Sequence, residues 1–345
     1  MPREPPVIRA VLPATENSSS VMLSPQVVVA GECIETARVS RPVRMWPVTD
    51  RRIVASALGD RPVAAFMLGG LSLYIGAAVA VGLFDEVGAG SAGWLRLLGA
   101  AVALTAITRP WRRSLRRRVT SREVLAAALA FGIASAVMNI SFYLALDSLP
   151  LGTAVALEFT GPIAVALWAS RTRRNLAAVA LASAGVVLLA RIEWQANPQG
   201  LGFVAVAAAC WAAYVILGKR LAGHGLGVTG LCLSTSMGTV VLAPVFGPGA
   251  APALVNPRLA ALALAVGVFA NVVPYGIDQL VLPRLEPGQF ALLLAVLPAT
   301  ATVVAAVTLR QIPSAVELVG IGAVSAGVAL RDPTAALLPE DEVVL

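Results

Sequence analysis

The sequence is poor in charged residues, and this shortage decides the class of protein. Only 13% of its 345 residues are charged, whereas 58% are apolar and the mean hydropathy is +0.81. Soluble domains carry about 25% charged residues, which cover the surface that faces water. A chain with so little polar surface would aggregate in water. The composition therefore predicts a membrane protein.

Histidine and paired cysteines are also scarce. His224 is the single histidine, and Cys33, Cys210 and Cys232 are isolated, with no CxxC spacing. This pattern offers no zinc site, so we expect neither a metal nor a cofactor. The HExxH and GxGD motifs are absent, as is the GxxxxGK[ST] loop, which argues against an intramembrane enzyme and an ATP-driven pump. A channel-like protein stays open as a less favoured alternative.

Two terminal segments differ from the apolar remainder. Residues 1–60 hold seven prolines and mixed charges, and we interpret them as a disordered cytoplasmic tail. No long apolar stretch with a cleavage site follows a basic start, so a signal peptide is not predicted. Residues 331–345 are interpreted as a short cytoplasmic C-terminal tail.

The body of the chain consists of apolar segments about as long as a membrane requires, which is roughly 20 residues. We predict an all-α membrane protein with ten transmembrane helices joined by short loops. The predicted spans are 63–84, 92–108, 124–146, 151–169, 176–191, 200–217, 227–246, 258–282, 288–309 and 314–330.

Arginine and lysine are distributed unevenly between the two sets of loops. Seventeen of them follow the even-numbered spans or precede the first one. Only four fall on the other side, namely Arg96, Arg191, Arg258 and Arg310. Basic residues stay in the cytoplasm during insertion, so both termini are predicted to be cytoplasmic in an inner-membrane protein. The net charge of +7 is explained by this orientation, and nucleic-acid binding is not expected.

The two halves of the chain repeat weakly. Gly152 and Pro162 recur 136 residues later as Gly288 and Pro298, and the Ser-Ala-Gly at 183–185 recurs at 325–327. The repeat units are 63–191 and 200–330, each with five predicted spans. Because five is odd, the second unit must enter the membrane from the opposite side. The result is two inverted five-helix repeats, an arrangement common in secondary transporters.

Prolines inside the spans predict where the helices bend. Pro162 follows Gly161 in the fourth span, Pro298 holds the equivalent position in the ninth, and Pro274 lies in the eighth. A proline has no backbone N–H, so it leaves a carbonyl one turn earlier without its helical donor. At membrane depth such a carbonyl needs protein or a water-filled cavity beside it. We expect these residues to line a cavity or act in gating, with a simple kink as the alternative.

Glu158 is the most informative side chain, because it is an acid near the middle of the fourth span. A carboxylate at this depth costs a few kcal/mol, so it must face the bundle interior, be paired or be protonated. We expect it to bind substrate or protons, with a structural hydrogen bond as the alternative.

Other polar and aromatic residues at helical spacing are weaker candidates for the same site. They are Asp278 with Tyr275, Asn139 with Tyr143, Trp211 with Tyr214, and Tyr74. Side chains three or four residues apart share one face of a helix. Each pair has helix packing as an alternative role, and Asp278 has a position near the interface.

These residues resemble a known family. The segment 150–167 reads PLGTAVALEFTGPIAVAL, which is similar to the signature of the threonine/homoserine exporter-like branch of the EamA family, in the drug/metabolite transporter superfamily. The resemblance covers roughly 63–330 and implies the drug/metabolite transporter fold. It implies export of small metabolites, in particular amino acids such as threonine or homoserine, in exchange for protons by alternating access. The alternative is an EamA-type exporter of another solute, such as a drug or nucleobase.

The resemblance also implies roles for particular residues. Glu158, Asp278, Trp211, Asn139 and their helical neighbours would line the substrate cavity. The expected partners are a small-molecule substrate, protons and lipid, and a homodimer stays open. The chain departs from the family where relatives often have Gly-Glu after the ninth span, since it has Arg310-Gln311 there.

Overall fold

A computed structural model describes residues 62–110, 121–169, 172–224, 226–275, 277 and 287–330. Helices account for nearly all of this described part, and it contains no strand. The predicted N-terminal and C-terminal tails and Asp278 lie outside it. The helices are α1 (Pro62–Val81), α2 (Phe84–Val87), α3 (Ala89–Thr108), α4 (Arg122–Leu146), α5 (Leu151–Glu158), α6 (Thr160–Ala169), α7 (Arg173–Ala196), α8 (Pro198–Gly223), α9 (Val228–Val255), α10 (Pro257–Gly267), α11 (Pro287–Thr308) and α12 (Ala315–Leu330).

Six described helical segments are long and apolar enough to cross a membrane: 63–81, 89–108, 122–146, 198–218, 228–255 and 257–275. Shorter apolar helices cover 151–165, 293–308 and 315–330. Large apolar side chains are exposed on the outside of the bundle, for example Val240 at 71% and Val307 at 77%. In water this exposure would be a liability, whereas in a bilayer these side chains face lipid. The protein is therefore an all-helical membrane protein.

Several predicted boundaries are wrong, and local chemistry explains them. The fifth predicted span, 176–191, is too short, because α7 also takes in the polar residues at both of its ends. The seventh ends at 246 in the prediction, but α9 continues to Val255 through Pro244, Pro248 and Pro252. These prolines are four residues apart and exposed, so the backbone groups they leave unpaired lie on one face of the helix.

The fourth predicted span is interrupted, as its proline suggests. It divides into α5 and α6 at Phe159, directly after Glu158. Pro162 cannot donate to the carbonyl of Glu158, and Thr160 turns its hydroxyl to the carbonyl of Leu157 at 2.8 Å. In contrast, α11 continues through Pro298. The two prolines that the predicted repeat pairs therefore have different effects on their helices.

The turn before α12 contains Arg310-Gln311, where the chain departs from the family pattern. Arg310 has a φ of 56°, a left-handed conformation that glycine adopts more easily. Gln311 accepts a hydrogen bond from the backbone N–H of Leu151 at 3.0 Å, which caps the start of α5. Ser314 and Glu317 bond reciprocally as a capping box at the start of α12.

Glycines set the closest helix crossings. A Cβ atom on Gly132 of α4 would collide with the carbonyl oxygen of Ser234 on α9, and one on Gly238 would collide with the carbonyl of Gly132. Similarly, a Cβ on Gly99 of α3 would come within 2.7 Å of the carbonyl oxygen of Ala263 on α10. Small residues at such contacts allow helix backbones to approach directly, which is how membrane helices associate.

Candidate functional site

A buried arginine connects the two halves of the chain. Arg96 lies inside α3 and is 4% exposed. Its Nε and Nη2 donate to the Asn271 side-chain oxygen at 3.1 and 2.7 Å, and Nη2 also donates to the Ala270 carbonyl at 3.0 Å. Arg96 was counted above with the basic residues of the non-cytoplasmic side, but it is buried inside the bundle. The bundle interior supplies the acceptors that a buried guanidinium requires.

The acceptors for Arg96 come from an irregular stretch of helix. Residues Val268–Val272 after α10 form a π-helical turn, a feature often found at functional sites. Pro274 follows, and its missing N–H leaves the Ala270 carbonyl without the usual donor four residues on. Arg96 donates to that carbonyl instead. The predicted kink residue Pro274 thus frees a backbone acceptor.

Glu158 lies at the end of α5, beside the helix break and partly accessible. Arg96 is close enough to act electrostatically on its carboxylate, and Tyr74 of α1 is a second neighbour. Among the described residues, Glu158 forms neither a hydrogen bond nor a salt bridge. An acid and a buried cation therefore share one region of the bundle without being paired directly.

Tyr143 of α4 completes this group. The Arg96 Cζ atom lies 5.3 Å from the centroid of its ring, within range of a cation–π contact. Tyr143 is fully buried, and its hydroxyl has no hydrogen-bond partner in the part of the chain that the structure describes. The structure thus brings four side chains from four helices together, and we call them the charged cluster: Arg96, Glu158, Tyr143 and Tyr74.

A small polar cavity adjoins the charged cluster. Asn139, Ser135, Thr235, Asn271 and Tyr275 supply its polar lining, and its volume is about 10 Å³. That is room for about one water molecule. Asn271 belongs both to this lining and to the hydrogen bonds of Arg96. The predicted residues Asn139 and Tyr275 therefore line one cavity, which Asn271 connects to the charged cluster.

The predicted aromatic pair on α8 is divided between two places. Trp211 packs edge-on against Phe159, the neighbour of Glu158, with ring centroids 4.8 Å apart. Tyr214 stacks on Phe131 at 4.5 Å, in a separate cluster that also contains Leu217. Leu217 is thus partly buried and packed against protein.

The predicted gating residues are distributed between two crossings. A Cβ atom on Gly161 of α6 would collide with the carbonyl of Ala208 on α8, so this crossing requires glycine. Pro298 is buried in α11, and its carbonyl accepts from the Thr302 hydroxyl at 2.8 Å. Gly161 and Pro162 adjoin the charged cluster through Phe159 and Glu158.

The position of Trp211 leads to a test. We expect Trp211→Ala to weaken apparent substrate affinity about threefold or more, because an aromatic face near the site attracts an ammonium group. Val206→Ala on the same helix is the control, since Val206 is 44% exposed on the outer surface. Both variants are compared by the concentration dependence of transport and by thermal unfolding. A loss of thermal stability without any change in affinity would assign Trp211 to packing.

The fold is that of a helical membrane protein, and its similarity to known proteins identifies its family. This chain belongs to the EamA-like transporter family, whose pattern matches residues 198–331. It is 32% identical over 268 residues to the threonine/homoserine exporter RhtA of Escherichia coli K12, covering 77% of this chain and 89% of that protein. RhtA of Salmonella typhimurium LT2 matches with the same identity and coverage. A solved crystal structure, 18% identical, shares the fold with a TM-score of 0.50, covering 78% of this chain and 96% of that one.

Proposed function

We propose that this protein is a secondary active exporter of the cell inner membrane that moves amino acids such as threonine or homoserine outward in exchange for protons. The observation that carries the proposal is the charged cluster, in which an unpaired acid lies near a buried arginine, and the hydrogen-bond partner of that arginine, Asn271, lines a polar cavity. A charge in the membrane interior is costly and is retained where it serves transport. The relatives named for threonine and homoserine export support the substrate class.

The proposal includes ten transmembrane helices in two inverted five-helix repeats, 63–191 and 200–330. Helix packing supports this symmetry. Helix α4 packs on α8. In the proposed repeat, the equivalent of α4 is the π-helical stretch after α10, and this stretch packs on α1, the equivalent of α8. Likewise α9 packs on both α3 and α4, while α3 packs on both α9 and α10. Each of these contacts therefore has a counterpart in which the two halves have exchanged roles.

The glycine crossings support the same exchange of halves. Gly132 meets Gly238 where α4 crosses α9, and Gly99 meets Gly267 where α3 crosses α10. Each pair joins one repeat to the other. Two such units can rock about a site near the membrane midplane and open it to each side in turn. Because the observed cavity holds about one water molecule, transport of an amino acid requires this movement.

An efflux panel tests the substrate. Cells with and without the protein are loaded with radiolabelled amino acids, and we expect faster loss of threonine or homoserine from cells that contain it. A drug or nucleobase exported in place of any amino acid would favour the alternative of another EamA-type solute. Transport that a proton gradient does not drive would favour the channel-like alternative.

Topology gives a further prediction. We expect a reporter enzyme that is active only outside the cytoplasm to stay silent when fused after Arg331 and to be active when fused after Asn197. Asn197 lies in the turn between α7 and α8, where its side-chain amide donates to the carbonyl of Ser148 at 2.8 Å. The opposite end of the bundle is marked by Arg174, which donates to the carbonyl of Leu330 at 2.7 Å. Strong activity after Arg331 would reverse the proposed orientation.

A further inference from the structure

We infer that Arg96 is the anchor for the substrate carboxylate, so that the transported solute is recognised as a zwitterion held between Arg96 and Glu158. This inference rests on the proposed function and assigns a residue and a substrate class to its site. It starts from the hydrogen bonds of Arg96, which leave part of the guanidinium unused.

Arg96 is held firmly, but these hydrogen bonds do not use all of its N–H groups. Three of its five N–H groups donate to Asn271 and Ala270, through Nε and Nη2. Nη1 takes no part in these bonds, and the Tyr143 side chain lies beside the guanidinium. The bonds to the π-helical turn fix the plane of the guanidinium, so the free edge has a defined direction. A guanidinium held in this way is prepared to bind a carboxylate, whose geometry matches its planar donors.

Glu158 supplies the opposite charge in the same region of the bundle. It is near enough for Arg96 to act on its carboxylate, yet the two form no salt bridge. A direct pair would satisfy both charges and leave nothing for a ligand. A separated pair in a low-dielectric interior is completed by a molecule that carries both charges, with its carboxylate toward Arg96 and its ammonium toward Glu158.

The side chains next to Arg96 and Glu158 suit a zwitterion. The ring of Tyr143 lies against Arg96. Its buried hydroxyl has no partner among the described residues, so this hydroxyl can donate a hydrogen bond to a ligand. Tyr74 lies beside Glu158 on the other flank. A simple amine would leave Arg96 uncompensated, and a simple carboxylate would leave Glu158 uncompensated. Both should therefore bind much more weakly than an α-amino acid.

Competition for counterflow in proteoliposomes that contain the full chain tests the inference. Radiolabelled threonine counterflow is inhibited with unlabelled threonine, with threoninamide, in which a neutral amide replaces the carboxylate, and with 3-hydroxybutyrate, which lacks the ammonium. For the wild type we expect threonine to compete at least about tenfold better than either analogue, since a hydrogen bond between charged groups is lost in each case. Equal competition by threoninamide would overturn the role of Arg96.

Variants test whether Arg96 is responsible for the preference for threonine over threoninamide. In Arg96→Gln the preference for threonine over threoninamide should fall toward one, and Arg96→Lys should retain part of it because the charge remains. Arg258→Gln is the matched control, since Arg258 is exposed in the first turn of α10. An unchanged preference in Arg96→Gln would make Arg96 structural. If neither Arg96 variant reaches the membrane, the wild-type analogue series decides alone. Absence of any amino-acid efflux from cells would instead refute the proposed function.

Discussion

Replacing Glu158 with glutamine is expected to abolish export driven by a pH gradient while the protein still inserts and folds. Glutamine keeps the size of the side chain and some hydrogen bonding but loses the charge and its titration. Glu158 lies at a helix break, partly accessible, with Arg96 and Tyr74 as its neighbours. A carboxylate in this position can exchange a proton for a substrate ammonium, which couples the two movements without further machinery.

Proteoliposomes with and without an imposed pH gradient provide the measurement. The wild type should accelerate efflux when the gradient is applied, and Glu158→Gln should not respond to it. Glu123→Gln is a suitable control, because Glu123 is an exposed acid in the first turn of α4. Counterflow of substrate survives in Glu158→Gln if the acid serves only protons, and it is lost if the acid also holds the ammonium. A full response of Glu158→Gln to the gradient would make Glu158 structural and Asp278 the next candidate.

A valine at Gly132 is expected to destabilise the bundle strongly. Its side chain would collide with the backbone carbonyl of Ser234, and a backbone carbonyl in a packed helix cannot turn aside as a side chain can. Overpacking of this kind costs about 1–3 kcal/mol and displaces the helices. Because this crossing joins two halves of the chain, any relief of the collision separates α4 from α9.

Gly322→Val is the matched control for that prediction. Gly322 is also helical, on α12, but nothing lies within 4 Å of its added Cβ atom. Thermal unfolding of the purified variants in detergent should show a clear drop for Gly132→Val and almost none for Gly322→Val. Equal unfolding temperatures would mean that the α4–α9 crossing is looser than the structure shows.

The sequence pointed to part of the candidate site, through side chains whose burial in an apolar span is costly. Glu158 was identifiable because an acid inside an apolar span demands an explanation, and the break beside it follows from Pro162. Arg96 was missed, because an arginine near the end of a span is normally read as part of the flanking loop. The eighth span contains the groups that bind Arg96, and Asn271 and Pro274 mark their place in the sequence. Neither residue, however, indicates that the partner is Arg96 on α3.

The sequence alone determined the class of protein, because its composition and the length of its apolar segments show that the chain needs lipid as its solvent. It also predicted most helix positions and singled out Glu158 for the candidate site, because these predictions rest on local hydrophobicity and on the cost of a single buried charge. Only the tertiary structure decided that Arg96 bonds to Asn271 and Ala270, that Trp211 and Tyr214 pack in separate places, and that glycines meet where α4 crosses α9. These contacts join residues far apart in the chain, and the direction of a side chain around a uniformly apolar helix depends on the helices packed beside it.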